Sequence, residues 1–160
     1  MPLKLGSTLV AVTLSLLATG GCQWSEDRFL EREVAPEELL GSWVLRSESV
    51  RDLDSIGVQL GEDRASHKLE LDAGGGCELR TFLPADVELM GPPPAVTYSR
   101  CRWELTQGSA HQQLWIDLLD VPSKHIHYHF TETNGGELVI WQYIGDPDAW
   151  RYLEYSKVGS

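Results

Sequence analysis

His125, His127 and His129 alternate with Ile126, Tyr128 and Phe130, so in a strand all three imidazoles share one face. Imidazoles about 7 Å apart along such a face can serve as ligands for zinc, copper or nickel. The apolar partners, however, mark the opposite face as the core. The imidazoles then point outward, where no second shell encloses a metal. The expectation is a polar outer face with no metal site. Carboxylates are plentiful, but Glu62, Asp63, Asp146 and Asp148 fall in turn-rich segments. Asp146 and Asp148 read as turn formers, because Asp bonds its own backbone in turns. There is no Gly-x-Ser-x-Gly elbow and no His-Glu-x-x-His helix. No catalytic residue and no cofactor are expected, and the chain reads as non-catalytic.

The elements that position these residues read as strands. Alternation places them near residues 42–50, 66–72, 76–83, 96–105, 112–119, 124–131, 137–144 and 149–157. The clearest is Ser66–Asp72, where Leu69 and Leu71 face one way and Lys68, Glu70 and Asp72 the other. Turn signals lie between them at Ala73–Gly76, Gln107–Ser109, Asn134–Gly136 and Gly145–Asp148. Before the first strand, Pro36–Leu40 reads as a short helical turn, with Pro at its start and acids in its first turn. No long amphipathic helix and no internal repeat is evident. Closely spaced strands joined by short turns predict an all-β fold: about eight antiparallel strands in an up-and-down barrel, which removes sheet edges by closing.

Alternate loops of such a barrel lie at one end. The two longest, Arg51–Ala65 and Pro84–Ala95, share an end, and the Gly-rich turns share the other. Pro92-Pro93-Pro94 stiffens the second long loop, while Val87, Leu89 and Met90 give it an apolar tip. That tip reads either as a lid over a ligand or as a plug folded into the barrel. Leu45, Leu69, Leu71, Leu79, Trp103, Leu114, Ile116 and Ile126 are the expected inward residues. Trp103 shares a face with Cys101 and Leu105, so it reads as core. Trp115 lies opposite in phase to Leu114 and Ile116, and reads as a surface aromatic.

The first 22 residues carry a separate message. Lys4 gives a basic start, Leu5–Leu17 is uncharged and largely apolar, and Ala18-Thr19-Gly20-Gly21 leads to Cys22. The apolar run falls short of the roughly 20 residues a spanning helix needs. The pattern is that of a secretory signal. Its Gly21-Cys22 junction resembles the lipobox of bacterial lipoproteins. The resemblance implies cleavage before Cys22, lipidation of its thiol and, with Gln23 next, residence at the outer membrane. The expected organisation is a signal peptide over 1–21, a tether over 22–35 and the barrel over 36–160. Loss of Lys4 with the signal takes the net charge from −11 to −12. So acidic a body repels phosphate backbones, and nucleic acid is excluded as a partner. Two cysteines remain, Cys77 and Cys101. In an exported chain an even pair reads as a disulfide, with two buried free thiols as the alternative.

Gly41-Ser42-Trp43, at the start of the first strand and just after a helical turn, resembles the Gly-x-Trp signature of the lipocalins. The segment Ile144–Asp148 followed by Arg151–Lys157 is similar to the tail of small bacterial lipocalin-like domains. The resemblance implies that Gly41 and Trp43 close one end of the barrel, with Trp43 under a basic residue, Arg151 or Lys157. Two functions stay open. One is binding of a small apolar or amphipathic ligand by Leu45, Leu69, Leu71, Leu89, Met90, Trp103 and Ile116. The other is a barrel filled by its own side chains that engages a protein partner through its surface.

Overall fold

A computed structural model describes residues 28–55, 67–81, 96–121, 123–144 and 152–159. The signal segment, Cys22, Leu89, Met90 and Arg151 lie outside the described residues, as does most of both long loops. The strands are β1 (Gly41–Leu45), β2 (Lys68–Leu71), β3 (Gly76–Thr81), β4 (Val96–Gln107), β5 (Gln112–Leu118), β6 (His125–Glu132), β7 (Leu138–Tyr143) and β8 (Tyr152–Lys157). Each pairs antiparallel with the next, and β1 pairs with β8 to close the barrel. The fold is the eight-stranded up-and-down barrel read from the alternation, and it has the lipocalin-like form that the resemblance implies.

Period-2 burial builds the interior. In β5 and β6 the buried positions are Leu114, Ile116 and Leu118, then Ile126, Tyr128 and Phe130. β3 and β4 break the period. Cys77 pairs with Cys101 and Leu79 with Tyr98, so β4 carries an extra residue in a bulge. Tyr98 and Cys101 are three apart, yet both turn inward, as a bulge permits.

Two short helices stop the ends. α1 (Pro36–Leu39) begins with Glu38 Oε1 accepting the Ala35 N–H at 2.8 Å. Its last carbonyls would otherwise lack partners. Trp43 Nε1 donates to the Leu39 carbonyl at 2.8 Å, and Lys157 Nζ donates to the Glu38 carbonyl at 2.9 Å. Leu39 is thereby fixed, fully buried, over the end that carries the tight turns.

α2 (Ser47–Ser55) corrects the strand expected to run to residue 50. β1 ends at Leu45, and the chain turns into a helix that packs on β8 at the other end. Val50 and Leu53, one helical turn apart, enter the core. Ser49 Oγ accepts the Glu154 N–H at 2.7 Å, which ties the helix to the wall. A further finding concerns the segment read as a tether: from Arg28 onward it lies against the barrel, with Val34 in the core and the Leu30 N–H bonded to the Phe130 carbonyl at 2.9 Å.

Candidate functional site

Three regions carry the residues singled out by sequence: the interior, the end holding Trp43, and the outer wall over β5–β8.

In the interior, Leu45, Leu69, Leu71 and Ile116 point inward and are buried. Leu69, Leu79, Leu114, Ile116, Tyr128, Ile140 and Tyr155 are each 0 % exposed. A side chain with no accessible area has no water-sized space beside it, so these residues line no hollow. Trp103 also turns inward but sits at the rim, partly exposed, with Nε1 donating to the Asp72 carbonyl at 3.0 Å. Polar character comes from Gln142 and from Tyr128 and Tyr155, whose rings meet edge-on at 5.9 Å. Burial, with Tyr155 alongside, pushes the Tyr128 hydroxyl well above its ordinary value, so it stays neutral.

Cys77 and Cys101 form a disulfide across β3 and β4, with Cα atoms 5.0 Å apart. It clamps the two strands at the bulge, where the hydrogen-bond ladder is broken.

At the closed end, Lys157 Nζ lies 5.9 Å from the centre of the Trp43 ring. Of the two basic candidates, Lys157 occupies this place. Gly41 has φ of +110°, a conformation that costs a side-chain-bearing residue. A Cβ there would stand 3.7 Å from Lys157 Cε, an ordinary contact, so it is the positive φ that favours glycine at the start of β1. Beside it runs a cleft of about 680 Å³, lined by Arg32 and Lys157 but also by Glu38 and Glu137. Its charges are mixed. Arg32 pairs with Glu38 at 2.9 Å and with Glu132 at 2.7 Å, and together with the Ala35 N–H it holds the Glu38 carboxyl below its ordinary value.

On the outer wall, the three imidazoles divide into two groups. His125 and His127 pack on Trp115, at 4.5 and 3.8 Å between ring centres. Trp115 Nε1 donates to Asp117 Oδ1 at 2.9 Å, so the predicted surface aromatic is held against its own strand. Partial burial and then His125 lower the basicity of His127. His129 turns toward Trp141, 4.7 Å away, and Tyr143, 6.0 Å away. Among the described residues, no three His, Cys, Asp or Glu side chains gather as a metal site would require.

The sequence reading missed what covers His129. Phe29 stacks flat on His111 at 4.1 Å and edge-on to His129 at 5.1 Å. The Arg28 guanidinium lies 3.7 Å over Tyr152 and 4.8 Å over Trp141, and is paired with Glu154. Arg46 Nε approaches the same carboxylate at 3.4 Å. Trp141 is on the outer face yet fully buried, because the strap of residues 28–35 covers it. One signal was available: Val139-Ile140-Trp141 is apolar on both faces, and a strand apolar on both faces is covered on both.

No family model matches the chain, and neither a curated protein nor a solved structure matches it.

Proposed function

We propose that this protein is a lipid-anchored module of the bacterial envelope, tethered at Cys22, that works without catalysis through the outer surface of a filled barrel. The observation that carries this reading is the packing of the interior. Leu69, Leu79, Leu114, Ile116, Tyr128 and Tyr155 occupy the space an internal ligand would need, and Leu39 and Leu53 stop the two ends. An eight-stranded barrel either fills with side chains or holds one small ligand, and these residues favour filling. The carrier reading, with an apolar ligand among Leu45, Leu69, Leu71, Trp103 and Ile116, needs that packing to open. Leu89 and Met90 would then form its entrance.

The net charge, −11 for the full sequence and −12 once Lys4 leaves with the signal, favours a partner with a basic or neutral surface over nucleic acid or anionic lipid heads. The Trp115–His125–His127 patch is the candidate contact, because aromatic side chains anchor interfaces. A photo-crosslinking residue at position 115, in cells, should yield one discrete adduct, and one at the exposed Ser109 should yield none. Equal adducts at both positions, or none at either, would speak against the patch. Mass spectrometry of the membrane fraction tests the anchor by looking for acyl groups on Cys22; an unmodified, soluble mature chain would refute it.

A further inference from the structure

We propose that the Arg28–Phe29 end of the strap is a proton-operated latch, which seats only on neutral His129 and is loosened from the barrel wall by acid. The inference does not depend on lipidation or on a partner.

Geometry carries it. Phe29 is the only strap ring among the described residues, and it fills the space between His111, in the turn joining β4 to β5, and His129 on β6. With Phe29 seated, His129 Nδ1 is buried and has no hydrogen-bond partner. A proton added there would place a cation against apolar rings, with its new N–H unpaired. Every charged neighbour bears on the outcome. The strap brings the Arg28 guanidinium onto the adjoining Trp141 ring. β6 adds His127, β7 adds Tyr143, and β8 adds Tyr152 and Glu154, with Arg46 beyond Glu154. Among these described neighbours Glu154 is the acidic one, and Arg28 and Arg46 already share it. It is therefore poorly placed to compensate a third cation.

Burial, then His111 and His127, bring the His129 imidazole down to about 4. With the strap lifted, the ring returns toward its ordinary value of 6.5. Between those values the lifted state takes up a proton that the seated state refuses. Lowering pH thus favours lifting, and raising it favours seating. Lifting also frees the adjoining Leu30 N–H from the Phe130 carbonyl, while the remainder of the strap stays held by Val34, whose N–H donates to Gln112 Oε1 at 2.7 Å. The latch is thus the outer end of a longer docked segment, placed six residues after Cys22.

The test follows amide exchange at Leu30 in the full chain, corrected for intrinsic rates. Between pH 7 and pH 5 the wild type should lose about tenfold in protection, and His129→Gln less than twofold. An equal loss in both proteins would assign the effect to the carboxylates Glu154, Glu38 and Glu132 and overturn the proposal, as would no loss in either. Should His129→Gln fail to fold, the His129 ring is titrated by NMR in the wild type and in Phe29→Ala. The midpoint should rise by more than one unit in the variant, and an unchanged midpoint would overturn the latch.

Discussion

Ser49 Oγ accepts the backbone N–H of Glu154 at 2.7 Å across 105 residues of sequence, and this bond seats a helix on the wide-looped end of the barrel. Ser49 is itself 1 % exposed, so the contact is shielded from water. The same helix drives Val50 and Leu53 inward, so α2 acts as a stopper at this end. Leu53→Ala should therefore cost about 2–5 kcal/mol in denaturant unfolding, as for other buried leucines. A loss under 0.5 kcal/mol would show that α2 rests loosely on the barrel.

The Cys77–Cys101 bridge encloses a loop of about 25 residues, which the chain-entropy account rates at about 3.5 kcal/mol. Thiol reagents should leave both cysteines unlabelled in the folded, non-reduced protein. The double Cys→Ser variant should be destabilised by about that amount. Full labelling without reductant would mean that the bridge does not form.

Acid should weaken the whole fold in two windows. His129 is held at about 4, below its ordinary 6.5, so unfolded chains take up its proton first. Stability falls as pH drops from about 6.5 toward 4. Glu38 is a depressed carboxylate, held by Arg32, and its contribution is present above its ordinary 4.5 and is lost as pH falls further. Thermal melts across pH 7 to 3 should decline throughout. His129→Gln should flatten only the upper window. A variant whose decline matches the wild type above pH 4.5 would remove His129 from the account.

The histidine strip should bind no structural metal. His125 and His127 rest on Trp115, and His129 turns away to Trp141. Melts with and without a chelator should coincide. A large destabilisation on chelation, reversed by zinc, would contradict this.

The strands were legible in the sequence because each apolar face repeats at period two and Gly-rich turns separate most of them. Leu69–Leu71 and Ile126–Phe130 show this most clearly. Trp43 was legible through the resemblance carried by Gly41-Ser42-Trp43, which also implied a basic partner, and Lys157 was one of the two residues named for it. α2 was not legible: nine residues give a single apolar repeat, Val50 to Leu53, too short to distinguish from a strand. The strap was hidden for a different reason. Arg28 and Phe29 have no local period. They are held by Trp141, Tyr152 and Glu154, all more than 100 residues away, and only the closed barrel brings those three to one face.

Whether the interior is filled is decided most directly by titrating a Cys22→Ser chain, which carries no acyl group, with a fluorescent fatty acid. The packing predicts no saturable binding, together with losses of about 2–5 kcal/mol for Leu69→Ala and for Ile116→Ala. Stoichiometric uptake of the probe, with both truncations leaving stability unchanged, would contradict the filled barrel and make the protein a carrier.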